Sequence, residues 1–423
     1  MQRKSTMKRL LGLASLIVCM CLNWTGLARA DVVADWNAIA TQTAIPARPG
    51  PSAILDLTMV HVAMHDAIQA FQRRFEPYGS PILNASGSPV AAAARAAHDV
   101  LVARFPSQSA TLDALLDNYL NGLGLQGDAG LIIGQQAAAN ILNLRAGDGS
   151  FPATPEVFTG GTEPGEWRPT PPAFAPMATP WLGAVTPFTL KDPTQFRSPP
   201  PPSVSSGIYV HDYNEVKALG SVNSTVRTQA QTDLARFYSD NFLALWERTL
   251  RGIADTNINN IGNSTRLFAL AHLAAADATI TAWDGKRLYH FWRPITAIQN
   301  GNDDGNPRTA GDATWTPQIP TNTPPYPEYP SGANNLTGAM TRTLERFFGN
   351  KMTFSVMSAF VNQTKTYQRF SDMADDVVDV RIYQGIHFRT ADVVARRHGT
   401  RIADMAFSQF LRPVHNRDDD DDR

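Results

Sequence analysis

Apolar residues recur at three- and four-residue spacing along most of the chain beyond residue 50. This spacing places them on one face of a helix with 3.6 residues per turn, so it predicts amphipathic α-helices. Alternating β-branched runs bounded by hairpin turns are nearly absent, and no large sheet is expected. We predict an all-α fold, either one helical bundle or two side by side, without an internal repeat. The clearest helical segments are 53–71, 89–105, 110–125, 128–149, 231–254 and 265–292.

A proline-rich region interrupts the helical pattern. Residues 152–202 contain fourteen prolines, so regular helix is excluded there. Large aromatic side chains lie among these prolines, and such side chains are usually buried in folded proteins. We therefore predict a long ordered loop over residues 151–206 that wraps over the helices. The aromatic residues are Trp167, Phe174, Trp181 and Phe188.

The first thirty residues have the pattern of a secretory signal peptide. "MQRKSTMKRL" carries four basic residues and no acidic one, "LGLASLIVCMCL" is apolar, and small residues stand at Ala28 and Ala30. This order predicts secretion or export to the periplasm, with cleavage near Ala30. A membrane anchor is the alternative, although the apolar run is shorter than a full span. We expect one domain over residues 31–412, no later membrane span, and a disordered acidic tail over residues 413–423.

Removal of this segment changes the charge and the cysteine content. Residues 1–30 hold five of the 37 basic residues and none of the 38 acidic ones, which leaves 32 against 38 and a net charge of −6. A mildly acidic protein has no electrostatic attraction for nucleic acid, so we expect no nucleic-acid partner. Cys19 and Cys21 are the only cysteines in the sequence, so the processed chain has neither disulfide nor thiolate chemistry.

The stretch "KRLYHFWRP" carries two cations ahead of a proline. Lys286 and Arg293 are seven residues apart, which is two helical turns, so both would project from one helix face. Pro294 favours a break or kink after them. A pair of basic residues at this spacing usually forms a solvated face, but the aromatic residues between them argue against simple exposure.

The stretch "PEYPSGANNL" contains a Pro-Ser-Gly turn before a predicted helix. Ser331 can cap that helix, and the backbone N–H groups around Gly332 can point at an anion on the helix axis. A plain capping turn is the simpler interpretation of the same residues.

A third stretch, "VRIYQGIHFRTAD", contains Arg381 and His387, six residues apart. On an unbroken helix these two side chains would point roughly 120° apart. The turn-forming pair Gln384 and Gly385 between them could bring both to one pocket. The alternative is a surface arginine and a core histidine.

Together the three stretches supply three cations, a hydroxyl, a backbone donor and an imidazole. This set suits a tetrahedral or trigonal-bipyramidal oxyanion such as phosphate or vanadate. At these residues the chain resembles the vanadium-dependent haloperoxidases and the type 2 phosphatidic acid phosphatases, which share a helical-bundle fold. Their signature runs K-x6-RP, then PSGH, then SR-x5-H. Segments such as "HVAMHDAI", "EWRPTPP" and "YQGIHFRTAD" are similar to the bacterial haloperoxidase branch.

Two positions depart from this signature. Val380 stands where the family's serine is found, and Ala333 replaces the histidine that follows Ser-Gly. That histidine is the family's general acid/base, a role worth about 10²–10⁴-fold in rate. Its loss leaves the donors to the oxyanion intact but impairs proton handling. His290 lies four residues after Lys286 and three before Arg293, so all three would share one helix face and His290 could act as a substitute base. The alternative is a histidine packed beside Phe291 and Trp292 without a catalytic role.

The resemblance implies a role for each site residue. His387 would bind vanadium directly, or attack phosphorus in a phosphatase. Lys286, Arg293, Ser331, Gly332 and Arg381 would bind the oxyanion. The implied function is an exported vanadate-dependent peroxidase that uses hydrogen peroxide to oxidise halide or a small organic substrate such as a sulfide. The alternatives are an acid phosphatase, in which phosphate takes the place of vanadate, and an oxyanion-binding protein with little catalysis.

Overall fold

The computed structural model describes residues 31–319 and 323–414. The fold is all-α apart from one small hairpin, which confirms the predicted class. The elements within the described residues are α1 (Val32–Ala47), α2 (Ala53–Gln72), α3 (Pro89–Arg104), α4 (Ser109–Leu123), α5 (Gly130–Leu144), α6 (Gly207–Leu219), α7 (Gln229–Phe237), α8 (Phe242–Asn257), α9 (Ile261–Tyr289), α10 (Pro294–Gln299), α11 (Gly332–Phe348), β1 (Lys351–Ser358), β2 (Gln363–Arg369), α12 (Phe370–Tyr383) and α13 (Arg389–Gln409).

Many of the helices begin where a polar side chain can accept the free N–H groups of the first turn. Asp31 accepts from the backbone of Val33, and Ser88 caps α3 directly ahead of a proline at the first helical position. The predicted segment 231–254 is divided between α7 and α8, because Asn241 caps a new helix there by accepting from Ala244 N–H.

The helices form two packed groups that share the long helix α9. Helices α2, α3 and α5 pack on one another, while α11 packs against α9, α12 and α13. Helix α9 also packs along α2 and is buried over most of its length. The centre of the molecule is therefore an apolar helix whose C-terminal end reaches the site described below.

Helices α2 and α9, which pack against each other, share a seven-residue sequence pattern, which is shorter than the unit of an internal repeat. Both helices carry the pattern H-x-A-x-x-D-A, beginning at His61 and at His272. The two imidazole rings contact each other with centroids 4.2 Å apart and planes tilted by 32°. Asp66 accepts hydrogen bonds from two backbone N–H groups of the chain after α2, and Asp277 accepts from three backbone N–H groups in the proline-rich loop. Seven residues in a chain of this length are too short a match to stand out by pattern alone.

The hairpin β1–β2 was not predicted. Its strands pair antiparallel, and alternate residues such as Phe354 and Val356 are buried while Ser355 is exposed. Only one face packs, with Phe354 against the Phe370 ring at 4.8 Å. Two short strands with threonine and serine on the open face give a weak alternation signal, which explains the omission.

The proline-rich region is an ordered loop over the helices, as expected, with one 3-10 turn at Pro180–Ala184. Trp167 and Phe188 are buried, as predicted. Phe174 is 62% exposed, so the prediction that its side chain is buried against the helices is wrong. Asp277 of α9 holds the loop by accepting the N–H groups of Phe188, Thr189 and Leu190. The backbone N–H of Trp167 donates to the backbone carbonyl of His290, so the loop also covers the end of α9.

Residues 1–30 and 415–423 lie outside the described residues, so the signal peptide and most of the acidic tail stay predictions. Within the predicted tail, Val414 N–H donates to the carbonyl of Arg74 and Pro413 pairs with Phe75, so these two residues pack on the domain. Among the described helices, none combines the length and the apolarity that crossing a membrane requires.

Candidate active site

The two cations of the first motif meet, but not on one helix face as predicted. Helix α9 ends at Tyr289, and His290 adopts a left-handed backbone with φ of 31°. Arg293 is the N-cap of the separate helix α10. The chain thus turns between Lys286 and Arg293, and both cations come to lie 5.0 Å from the Tyr326 ring centroid.

Backbone carbonyls of the segment before the Pro-Ser-Gly turn hold these two cations. Lys286 Nζ donates to the carbonyls of Pro327 and Glu328 at 2.7 and 2.9 Å, and Arg293 Nε donates to Tyr326 at 2.9 Å. Both side chains are completely buried. Neutral carbonyls position the cations without neutralising them, so the positive charge stays available for an anion.

The Pro-Ser-Gly turn caps a helix, as predicted. Ser331 is the N-cap of α11, and its hydroxyl accepts from Asn334 N–H. A side chain on Gly332 would place its Cβ 3.0 Å from the Trp283 ring, so the close packing of Trp283 favours glycine there. The free N–H groups of the first turn of α11 therefore lie beside Trp283 and the Lys286 side chain.

The third motif folds as expected. Helix α12 ends at Tyr383, and Gly385 takes a φ of 79° that a side chain would strain. Arg381 Nη1 donates to Gln384 at 2.8 Å, and Arg293 Nη1 lies 3.2 Å from His387 Nε2. The turn thus brings Arg381 and His387 into the same buried cluster as Arg293 and Lys286, whose charges all act on the imidazole.

Glu328 is a site residue that the sequence analysis missed. Its Oε1 accepts from Phe388 N–H at 2.9 Å and lies 2.8 Å from His387 Nδ1. An arginine can only donate, so His387 Nε2 must accept from Arg293 and the single proton of a neutral imidazole must be on Nδ1. His387 therefore donates Nδ1–H to Glu328 and keeps a lone pair on Nε2. The signal in the sequence was an acidic residue within a proline-rich apolar segment, three positions before Ser331.

Burial dominates the electrostatics of this cluster. It lowers the pKa of Lys286 and of His387 well below their usual values, with Arg293 acting on both in the same direction. Burial also lowers the pKa of Arg293 to about 10. It raises the pKa of Glu328 to about 8 and that of Asp392 to about 7, although cations lie beside both carboxyl groups. The charges are thus incompletely balanced within the protein.

Several polar atoms of the cluster have no partner among the described residues. Arg293 Nη2 and Arg381 Nε are buried donors without an acceptor, and Glu328 Oε2 and Asp392 Oδ2 are buried oxygens without a donor. Unpartnered buried donors are costly, and an oxyanion would satisfy them. The unpartnered N–H groups and the unprotonated Nε2 of His387, which accepts from Arg293 here, fit a bound vanadate or phosphate.

His290 does not share this arrangement. It caps the C-terminus of α9, and its ring lies edge-on to Phe158 at 6.1 Å. The predicted common helix face with Lys286 and Arg293 is wrong because α9 ends one residue earlier. His290 Nδ1 has no hydrogen-bond partner among the described residues, so a role as substitute base stays a prediction that its contacts do not support.

A cavity of about 420 Å³ adjoins the cluster. Gly332, Ala333 and Arg381 line it on the side of the site, and the aromatic rings of Trp283 and Tyr326 line it as well. Ala333 follows Ser331 and Gly332 in the first turn of α11. The position that carries the acid/base histidine in the resembling family is here a methyl group facing a cavity.

Comparisons with known proteins agree with this architecture. The family model for the second helical-bundle domain of vanadium chloroperoxidase matches residues 266–416, which include the whole cluster. Vanadium chloroperoxidase of Curvularia inaequalis is 28% identical over 211 residues, which cover 42% of this chain and 34% of that protein. The match therefore spans about a third of the length of that curated relative.

Solved structures share the fold over most of the chain. A bacterial vanadium-dependent iodoperoxidase superposes with a TM-score of 0.76 at 22% identity, covering 92% of this chain and 97% of that one. A bacterial vanadium-dependent chloroperoxidase in its holo form superposes with a TM-score of 0.67 at 17% identity, covering 90% and 92%. The family match over residues 266–416 and these structures show that the chain shares the helical fold of the vanadium haloperoxidases.

Proposed function

We propose that the chain is a vanadate-dependent peroxidase that uses hydrogen peroxide to oxidise halide or a small organic substrate. The observation that carries the proposal is the buried cluster of three cations around a neutral imidazole, with unpartnered N–H groups on Arg293 and Arg381. Such a cluster is unfavourable without an anion, and oxyanion binding supplies the missing charge. Similarity to a vanadium chloroperoxidase and to a vanadium-dependent iodoperoxidase supports vanadate and peroxidase activity.

Each residue of the cluster has a binding role in this proposal. His387 would bind vanadium through Nε2, after Arg293 Nη1 turns from the imidazole to the oxyanion. Lys286, Arg293 and Arg381 would donate to its oxygens, as would Ser331 and the N–H of Gly332. Glu328 lies 2.8 Å from His387 Nδ1 and keeps the imidazole proton there, so the ligating nitrogen Nε2 carries no proton.

Proton handling is the step in which this chain differs from its family. Bound vanadate would supply a Lewis-acidic centre that polarises hydrogen peroxide. Ala333 can neither accept nor donate the peroxide proton. Asp392 is a buried carboxyl group whose pKa burial raises to about 7, and it acts on Arg381, so it can hold a proton near neutral pH beside the cluster. We expect binding to be retained and turnover to be slow.

Ala333 also supports a second candidate, an oxyanion-binding protein without significant turnover. An acid phosphatase is less favoured, because an alkoxide leaves poorly without a proton donor. These candidates differ in which oxyanion binds and whether any product forms. Vanadate binding with bromination marks the peroxidase, and hydrolysis of an aryl phosphate marks the phosphatase.

The decisive test is a vanadate titration followed by a bromination assay with hydrogen peroxide. The unmodified chain should bind vanadate, and His387→Ala should abolish binding or weaken it severely because it removes the protein atom bonded to vanadium. Ala333→His should leave affinity nearly unchanged and raise the bromination rate by up to about 10²–10⁴-fold. Unchanged vanadate affinity in a folded His387→Ala variant would refute the proposed site.

A further inference from the structure

The cavity beside the cluster has a lining unlike that of the cluster itself. Phe242, Trp283 and Tyr326 contribute aromatic rings, and Ile54, Leu243 and Leu336 contribute aliphatic side chains. Arg381 is the one charged side chain among the described lining residues. A volume of about 420 Å³ lies within the range of sites for small organic molecules.

We propose that this cavity binds the neutral aromatic part of an organic substrate beside the oxyanion, and that Ala333 determines this specificity by leaving room for it. The inference rests on the proposed function, which requires the oxyanion at Arg381. A neutral ligand is favoured because Arg381 is committed to the anion and the remaining lining is uncharged.

The aromatic character follows from the arrangement of the rings. Trp283 and Tyr326 contact each other with centroids 4.8 Å apart and planes tilted by 56°. Two tilted rings in a wall give a flat ligand an edge-to-face and an offset contact together. Trp283 also packs on Gly332, so a ligand against this ring lies directly beside the Pro-Ser-Gly turn.

The role of Ala333 follows from its place on α11. It is the second helical residue, it lines the same cavity as Arg381, and it is only partly buried. A histidine or any larger side chain there would extend into the space between the oxyanion residues and the aromatic wall. Alanine at position 333 therefore removes an acid/base group and at the same time leaves room for a substrate.

The test measures binding to the chain without vanadate or peroxide, so it does not depend on turnover. Methyl phenyl sulfide is titrated while tryptophan fluorescence and heat release are recorded. The unmodified chain should bind, and Ala333→Phe should weaken binding at least about tenfold by filling the space. Ala110→Phe is the matched control, because Ala110 is also the second residue of a helix but is exposed and outside the cavity.

Vanadate affinity of the same variants separates this inference from the proposed function. It should be equal in the unmodified chain, Ala333→Phe and Ala110→Phe. Ala333→Leu repeats the test with a smaller side chain if the phenylalanine variant does not fold. The inference would be overturned if the unmodified chain did not bind the sulfide, or if the variants at position 333 bound it as tightly as the unmodified chain. Either result would leave the vanadate site intact. Loss of both ligands in the folded leucine variant would overturn it too, since the cavity would not be separate from the cluster.

Discussion

Two buried histidine–glutamate pairs lie in this molecule, and their surroundings differ. In the first, His272 Nε2 lies 3.1 Å from Glu247 Oε1, and in the second, His387 Nδ1 lies 2.8 Å from Glu328 Oε1. All four side chains are at most 1% exposed. Burial and distance are therefore alike, and what separates the pairs is where the remaining polar atoms find partners.

The Glu247 pair belongs to a nearly closed network. Glu247 Oε2 accepts from Asn37, the Asn37 oxygen accepts from Arg251, and His272 Nδ1 lies 2.7 Å from the carbonyl of Phe268. Since Nδ1 donates to that carbonyl, Nε2 can pair with Glu247 only if the pair holds one extra proton. Hydrogen bonds and the charge of His272 outweigh burial here and lower the pKa of Glu247.

The Glu328 pair belongs to an open network. Glu328 Oε2, Arg293 Nη2 and Arg381 Nε lack partners among the described residues, and burial raises the pKa of Glu328 to about 8. A structural pair satisfies its own atoms, whereas a ligand site keeps donors unsatisfied until the ligand arrives. The comparison indicates that the number of unpartnered atoms, more than burial, distinguishes a ligand-binding cluster from a structural one.

The largest expected effect concerns the closed network. Glu247→Ala leaves Asn37 and His272 without their partner and should lower the free energy of unfolding by about 3–5 kcal/mol. Urea denaturation followed by circular dichroism measures this loss. Glu247→Gln is the control, because an amide can still donate to His272 and accept from Asn37, and it should cost much less. Equal losses in both variants would mean that the network is not closed by these hydrogen bonds.

The next effect concerns the open network, in which a substitution should weaken ligand binding without lowering stability. Lys286→Met should weaken vanadate binding by about 1.5–3 kcal/mol, the value of one charge-assisted contact. Without vanadate the same change should not lower the free energy of unfolding, because it replaces a buried cation whose charge burial disfavours and whose hydrogen bonds go to neutral carbonyls. Calorimetric titration and urea denaturation measure the two quantities.

Arg287→Met serves as the control for this prediction. Arg287 follows Lys286 on α9, but its side chain is 40% exposed and pairs with Glu156 at the surface. It should affect neither vanadate binding nor stability by more than about 1 kcal/mol. A large stability loss in Lys286→Met without vanadate would show that the cluster is self-satisfied, like the Glu247 network.

The sequence predicted the helices, the ordered loop and the meeting of the cluster residues, because periodicity and family motifs are local signals. It did not predict that α9 ends at Tyr289, since "KRLYHFWRP" has no glycine or proline before the break. Glu328 and Asp392 were missed because their importance comes from burial beside His387 and Asn334, residues distant in the sequence, which no local pattern encodes. The cavity at Ala333 depends on residues from five helices and was equally invisible.

The smallest predicted effect is on the pH dependence of the free energy of unfolding, which should have opposite signs for Glu328 and Glu247. Burial raises the pKa of Glu328 from 4.5 to about 8, so the folded chain keeps a proton that the unfolded chain has lost between these values. The stability from this group is complete below pH 4.5 and is lost as the pH rises towards 8. Between pH 6.5 and 7.5, the unmodified chain without vanadate should therefore lose about 1 kcal/mol relative to Glu328→Gln, which cannot titrate.

The Glu247 carboxyl group should have the opposite pH dependence. Its pKa is lowered, so its contribution is complete above pH 4.5 and is lost only as the pH falls through the folded value. Urea denaturation of Glu247→Gln should hence differ in slope from the unmodified chain in acid, below pH 4.5. Parallel curves for Glu328→Gln at neutral pH would mean that Glu328 is ionised in the folded chain and that its network is as closed as the other.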